Sequence, residues 1–374
     1  MRIAVAAVAI LAASMGPMTD GHTQPSAEVQ NLVSREIREL LPEGAVGGVA
    51  VAVRIDGRSL FFNYGYADAA SKKPVTSDSL FNLASLRKPF EAIVLADAVL
   101  RGEIRLDDPV AHYVTELDSK ADIGRVTVGQ LATHTSGLLL PQDHPPWPAE
   151  GYTLAEFMHT LNVWRAGPGH EAGRQHEYTH AGYVLLQLAL ERALKAPIAE
   201  LIDRRVTGPL HMRSTLLPAR GEDGHAQLSG DLRQRAVQGY DENGRAIGGP
   251  GDQQSYYHFP GTGQMFSSAR DLAKFAAANL GEGAVDRSLI EAMKLAQKPG
   301  VAMTAHVAQA LAWEVNSGDR MPIVEKNGGL NNSSTYIGLV PARHIAVVIL
   351  TNRGDQNPAE VGRRILSYLM RHAV

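Results

Sequence analysis

Four side chains that could support nucleophilic catalysis stand in order along the chain. Ser85 is followed by Lys88 in the sequence Ser-Leu-Arg-Lys, so the hydroxyl and the amine share one helix face if Ser85 begins a helix. Tyr178 begins Tyr-Thr-His ahead of an apolar helix, and Lys326 begins Lys-Asn-Gly-Gly ahead of a strand pair. A serine nucleophile requires a base within hydrogen-bond reach, and Lys88 and Tyr178 are two candidates.

The glycines after Lys326 provide for the second requirement of acyl transfer, which is stabilisation of the oxyanion. Gly328 and Gly329 have no side chains, so a substrate can approach the strand backbone closely. The N–H of Gly329 can then join the N–H of Ser85 as a pair of oxyanion donors. We expect Lys326 to lie on an edge strand, where its charge attracts an anionic substrate. The chain contains no Gly-x-Ser-x-Gly elbow, which disfavours an α/β-hydrolase.

The chain resembles the class C β-lactamase family and the related penicillin-recognising esterases and D-Ala-D-Ala peptidases. The resemblance runs from about residue 27 to residue 370 and is carried by GYADAASKKPVTSDSLFNLASLRK, RGEIRLDDPV, QLATHTSGL, YTHAGYVLLQLAL and GLVPARHIAVVILTNR. It implies that no metal or organic cofactor is required. It also implies that Ser85 is the acylated nucleophile, with Lys88 as its helper. Tyr178 is then the general base, and Lys326 is the lysine that serves the substrate carboxylate and the proton network.

Several residues at the expected substrate site depart from the family pattern. His180 stands where the family has Asn, and Asn327 stands where Thr is usual. Only twelve residues separate Trp313 from Lys326, so we expect a short loop on that side of the cleft. Gln142, in the loop after His-Thr-Ser-Gly-Leu, matches the family position that contacts the substrate's side-chain amide. We therefore assign His180, Asn327 and Gln142 to substrate binding, together with the two glycines.

His180 has three interpretations. It can replace Asn sterically, with weaker recognition of the substrate amide, because a neutral imidazole offers one donor or acceptor on each nitrogen. It can act as a base in hydrolysis of the acyl-enzyme, since the ordinary pKa of histidine is about 6.5. It can also bind zinc together with His176 and with His144 or His258, because imidazole suits that ion.

Hydrophobic periodicity predicts the elements that position these residues. A helix is expected at 27–41, and Asp56-Gly57 between two β-type runs predicts a hairpin of strands 47–54 and 59–64. Further helices are expected at 85–100, 127–133, 153–164, 180–194, 269–280 and 358–371. Two paired strands are expected at 334–340 and 344–350.

These elements predict an α/β fold of the α+β type, like that of β-lactamases and penicillin-binding transpeptidases. An antiparallel sheet built from both ends of the chain is flanked by helices, and a mostly helical domain is inserted in it. We expect one catalytic domain over 25–374, with an α/β lobe at about 25–80 and 300–374. The helical lobe covers about 85–295, and the site lies between the two lobes.

The first residues predict export. Arg2 precedes an apolar run at 3–13 and then small residues, which is typical of a signal peptide ending near residue 24 and indicates a periplasmic protein. No other run is long enough to span a membrane, which takes about 20 apolar residues. The formal net charge of −3 and the absence of a basic tract disfavour a nucleic-acid partner, and the absence of cysteine excludes disulfides. We expect a monomer that acts on a small molecule.

The sequence thus predicts a serine β-lactamase that hydrolyses the lactam amide through an acyl-enzyme on Ser85. Weakened amide recognition at His180 would favour substrates with small side chains, such as carbapenems. An esterase or D-amino-acid peptidase of the same fold is the alternative among enzymes. A penicillin-binding or sensory protein that never hydrolyses its adduct is the alternative of another class.

Overall fold

The computed structural model describes six segments of the chain. They are residues 27–140, 153–219, 227–251, 264–319, 321–354 and 356–372. The predicted signal peptide lies outside them, and so does Gln142.

A nine-stranded antiparallel sheet forms the centre of the described structure. The described strands are β1 (Gly48–Ile55), β2 (Arg58–Asp68), β3 (Lys73–Pro74), β4 (Phe81–Asn82), β5 (Gly239–Tyr240), β6 (Ala246–Ile247), β7 (Phe266–Ser267), β8 (Val301–Ala302), β9 (Val307–Gln309), β10 (Glu314–Asn316), β11 (Ile323–Leu330), β12 (Ser333–Val340) and β13 (Ile345–Thr351). The central sheet has the order β3-β2-β1-β13-β12-β11-β10-β9-β8, so the first and last parts of the chain meet where β1 pairs with β13. Asp56 and Gly57 both have positive φ, as the tight turn between β1 and β2 requires.

Helices cover both faces of this sheet. The described α-helices are α1 (Ala27–Ile37), α2 (Lys88–Leu100), α3 (Val128–Ala132), α4 (Leu154–Val163), α5 (His180–Leu194), α6 (Ile198–Ile202), α7 (Gly230–Arg235), α8 (Ala269–Asn279), α9 (Arg287–Ala296) and α10 (Pro358–His372). The helices α1 and α10 pack together on one face, where their apolar sides and the strands enclose one hydrophobic core. On the other face α8 packs against β1 and β13, and a second core continues through α2, α5 and α9.

The arrangement confirms the predicted fold class, an antiparallel sheet flanked by helices. The expected helix at 85–100 is divided, because a 3₁₀ turn at Ala84–Arg87 precedes α2. Pro89 lies in the first turn of α2, where its missing N–H costs little. The short strands β8, β9 and β10 extend the sheet beyond what the sequence pattern predicted.

The strand that carries Lys326 is not an edge strand along its whole length, so the prediction holds only for its second part. The strand β11 pairs with β12 along its length, and β10 covers its other side from Ile323 to Glu325. Lys326 follows at the point where the described pairing with β10 stops. The strand is therefore an inner strand in its first part and an edge only from Lys326 onward.

Among the described residues, no helix is both long enough and apolar enough to cross a membrane.

Candidate active site

Ser85 lies in the 3₁₀ turn that joins β4 to α2. Side chains of β12 attach the preceding residues to the sheet, because Ser333 Oγ donates to the carbonyl of Asn82 at 2.7 Å and Thr335 Oγ1 donates to that of Leu83 at 2.9 Å. Asn82 Oδ1 in turn accepts the N–H of Ala84 at 3.0 Å. The backbone at Ser85 is thus held by the sheet and does not depend on loop contacts alone.

The Ser85 hydroxyl lies between two groups that can exchange its proton. Its oxygen is 2.9 Å from the phenol oxygen of Tyr178, and Lys88 Nζ donates to it at 3.3 Å. Lys88 is fully buried, whereas Tyr178 is 37% exposed. One turn of helix brings Lys88 beside Ser85, while Tyr178 comes from the segment before α5. The structure therefore brings together the predicted nucleophile and both candidate bases.

Two neighbours fix the position of Tyr178. Thr179 caps α5 by accepting the N–H of Gly182, and its hydroxyl donates to the carbonyl of Leu138 at 2.6 Å. The imidazole of His134 stacks on the Tyr178 ring with 4.2 Å between centroids, and its Nδ1 accepts the N–H of Thr179 at 3.2 Å. Burial, with the charges of Lys326 and Lys88, holds the pKa of His134 well below its usual value, so this ring is neutral. A rigid, uncharged surface thus supports the phenol.

Lys326 completes the group. Its Nζ lies 5.1 Å from the centroid of the Tyr178 ring, the same distance as Lys88 Nζ. Lys326 Nζ also donates to Glu314 Oε1 at 3.2 Å, and its side chain is only 3% exposed. Two ammonium groups thus flank one phenol, and both stabilise negative charge that develops on its oxygen.

The glycines of β11 differ in their surroundings. A Cβ at Gly328 would lie 2.6 Å from the carbonyl oxygen of Leu83 and 2.8 Å from the backbone nitrogen of Ser85. A Cβ at Gly329 would meet nothing within 4 Å among the described atoms. Glycine at 328 therefore lets β11 contact the Ser85 turn, and Gly329 borders open space beside it. Asn327, which precedes Gly328 on the strand, is exposed.

His180 is the first residue of α5, and its ring lies 5.3 Å from the Tyr178 ring, centroid to centroid. Burial lowers its pKa to about 3, and the positive charges of Lys88 and Lys326 contribute to the shift. The expectation that His180 has a pKa suited to base chemistry near neutral pH is therefore wrong. The imidazole is neutral at that pH and a weak base.

The zinc hypothesis gains no geometric support in the described part of the chain. There, no group of three or more His, Asp or Glu side chains is arranged to hold a metal ion. His176 Nε2 is 3.0 Å from Gln309 Oε1, and the amide nitrogen of Gln309 donates to two backbone carbonyls, so His176 supplies the proton in that bond. His144 and His258 lie outside the described residues.

Sequence reasoning did not anticipate the contacts of two functional neighbours. His134 is fully buried, and its stacking on Tyr178 depends on two segments far apart in the sequence. Glu314 was not singled out, because a lone carboxylate after Trp313 carries no distinguishing pattern. Its proximity to Lys326 results from the pairing of β10 with β11.

Comparisons with known proteins agree with this geometry. A family model described as Beta-lactamase matches residues 33–369. The chain is 27% identical to a β-lactamase of Escherichia coli (strain K12), with 89% of this chain and 91% of that protein covered. A β-lactamase/D-alanine carboxypeptidase from Pseudomonas syringae superposes with a TM-score of 0.79 at 24% identity, covering 93% of this chain and 100% of the other. A class C β-lactamase gives a TM-score of 0.80 at 23% identity, with 93% and 99% covered. The chain therefore belongs to the beta-lactamase family of serine hydrolases.

Proposed function

We propose that the protein is a β-lactamase that opens the lactam ring through an acyl-enzyme on Ser85. The observation that carries the proposal is the position of the Ser85 oxygen, which lies 2.9 Å from the Tyr178 oxygen and 3.3 Å from Lys88 Nζ. A hydroxyl that lies beside a phenol oxygen and accepts a hydrogen bond from Lys88, next to an open strand backbone, meets the requirements of acyl transfer.

Acylation begins when Ser85 Oγ attacks the carbonyl carbon of the lactam. Its proton passes to Tyr178 in its phenolate form, whose negative charge Lys88 and Lys326 stabilise before the transfer. The backbone N–H groups of Ser85 and Gly329 bind the oxyanion. The carbon–nitrogen bond then breaks as the ring nitrogen accepts a proton from the Tyr178–Lys88 pair, which leaves an ester on Ser85.

Hydrolysis of the ester uses the same groups in the opposite direction. A water molecule attacks the ester carbonyl and gives its proton to the Tyr178–Lys88 pair, and Ser85 Oγ leaves with a proton. His180 is a poor candidate for this base because its pKa is about 3. Its role in the proposal is steric and polar, as a neutral side chain bordering Tyr178 where the substrate amide would lie.

The resemblance and the comparisons also support a second activity of the same site. One similar solved structure is named as both a β-lactamase and a D-alanine carboxypeptidase. The pairing of Lys326 with Glu314 favours an esterase activity on uncharged substrates, since it compensates the cation that would bind a substrate carboxylate. Both activities pass through an acyl-enzyme on Ser85, and they differ in the substrate that supplies the acyl group.

A substrate panel tests the proposal. We expect the purified protein to hydrolyse the chromogenic cephalosporin nitrocefin repeatedly, with an acyl adduct on the Ser85 peptide that appears and decays in mass spectra. Parallel assays with p-nitrophenyl acetate and a D-Ala-D-Ala peptide rank the alternative activities. Turnover of the ester or peptide without nitrocefin turnover would favour the alternative enzyme. An adduct that persists with every β-lactam would indicate the non-hydrolysing binding protein.

We propose further that His180 shifts the substrate range toward carbapenems. A neutral imidazole offers fewer donors and acceptors than the amide of Asn, so substrates with large amide side chains lose more binding than carbapenems do. His180→Asn should therefore raise kcat/KM for a benzylpenicillin-type substrate about tenfold relative to a carbapenem, which corresponds to one good hydrogen bond. Steady-state kinetics of both substrates with both proteins provide the measurement. Equal changes for the two substrates would refute this role of His180.

A further inference from the structure

Lys326 is the cation that the proposed function assigns to the substrate, and it has a carboxylate partner. Lys326 Nζ donates to Glu314 Oε1 at 3.2 Å. The lysine side chain is 3% exposed, whereas that of Glu314 is 22% exposed. The carboxylate therefore lies on the solvent-facing part of the pair, where it acts both on Lys326 and on whatever approaches it.

The sheet determines this pairing. Glu314 is the first residue of β10 and pairs in register with Glu325, the residue before Lys326. Only the six residues 317–322 separate β10 from β11 in the sequence. Strand pairing thus holds the carboxylate beside Lys326, where it stays partly open to solvent.

The balance of charge at this end of the site follows from these contacts. Lys88 is the second cation, and its Nζ lies 5.1 Å from the Tyr178 ring centroid and next to Ser85. Arg87 is buried against Glu91 and so adds little net charge. A substrate carboxylate that binds Lys326 must come close to Glu314 and repel it, because both would share one ammonium group. A neutral group at the same place meets no such repulsion.

We propose that Glu314 is a specificity-determining residue that lowers the preference of the site for anionic substrates by neutralising Lys326. The proposal rests on the proposed acyl transfer at Ser85 and adds the class of substrate that the site prefers. Esters and amides that are uncharged at the Lys326 end lose no binding affinity through the presence of Glu314. Substrates with a carboxylate at that end bind less tightly than an unpaired lysine would allow.

Glu314→Gln tests the proposal because glutamine retains an oxygen that accepts from Lys326 Nζ and removes only the charge. The probes are nitrocefin, which carries a carboxylate, and its methyl ester, which has the same chromophore without the charge. We expect kcat/KM for the acid to rise about five- to tenfold relative to the ester, mainly through KM, as for a partly screened repulsion between like charges. The increase in the ratio of acid to ester should be smaller at high salt, because Glu314 is partly exposed and its charge is screened.

Glu282→Gln is the matched control. Glu282 pairs with Arg54 and His344, away from Ser85, so its substitution should leave the ratio of acid to ester unchanged. Circular dichroism and thermal melting verify that both variants fold. An unchanged or lower ratio in folded Glu314→Gln would overturn the proposal. If the unmodified protein forms no adduct on Ser85 with either probe, the proposed function fails instead, so the two failures are distinguishable.

Discussion

Ser85→Ala should lower kcat/KM for nitrocefin by about 10⁴-fold or more, the loss that follows removal of a serine nucleophile. The Ser85 hydroxyl contacts both Tyr178 and Lys88. Alanine has no hydroxyl, so neither group has a nucleophile to activate. The acyl adduct should disappear at the same time. Initial rates, with intact-protein mass spectra after incubation with nitrocefin, provide the measurement.

The substitution is a clean test because it alters little else. The 3₁₀ turn that carries Ser85 is held by the hydrogen bonds of Ser333 and Thr335, which alanine at 85 does not remove. The melting temperature should therefore change little. Ser34→Ala is a matched control, since the Ser34 hydroxyl contacts Tyr64, outside the catalytic group, and its loss should leave the rate intact. An adduct that persists on a different residue of Ser85→Ala would show that the nucleophile was misassigned.

Local patterns were sufficient to predict most elements of the fold. The Asp56-Gly57 turn specifies the β1–β2 hairpin by itself, because its positive φ angles suit few other residues. The apolar spacing of α1 and α10 predicts one buried face on each helix. The strands β8 to β10 are two or three residues long and form through the sheet beside them, so their sequences contain no period to detect.

The sequence predicted which residues form the candidate site, but it did not predict the electrostatic environment of those residues. The order of Ser85, Lys88, Tyr178 and Lys326 is a property of the sequence. The pKa of His180 is not, because it depends on burial beneath several segments and on two lysines that approach from different elements. The interaction of Glu314 with Lys326 likewise depends on the register of β10 against β11. Reference values for isolated residues therefore misled the prediction for His180.

Arg87, the second of the two residues between Ser85 and Lys88, gives the second large effect. Its side chain is fully buried. Its guanidinium bonds to Glu91 one turn later on α2 and to Gln187 on α5, and Gln187 donates to Glu191 at 2.9 Å. These bonds join the helix that carries Lys88 to the helix that follows Tyr178. The spacing of the two candidate bases therefore depends on a buried charge network.

Arg87→Met should lower the free energy of unfolding by about 3–5 kcal/mol, because it leaves a buried carboxylate without its cation. Burial already raises the pKa of Glu91, although Arg87 and Lys88 oppose the shift, and loss of Arg87 raises it further. A carboxyl with a higher pKa in the folded state stabilises the fold most below its unfolded value, and that stability is lost as pH rises through the folded value. The loss in free energy of unfolding caused by Arg87→Met should therefore be larger near pH 8 than near pH 5, as measured by urea unfolding.

Glu91→Gln introduced into Arg87→Met separates the charge effect from the loss of packing. The double variant has no uncompensated charge, so it should recover part of the lost stability and lose the added pH dependence. Arg105→Met, which breaks an exposed pair with Asp107, should leave the unfolding curve unchanged. An equal deficit at both pH values, with no recovery in the double variant, would mean that Arg87 acts through packing alone. The charge network would then not be what holds α2 against α5 at the Ser85 end.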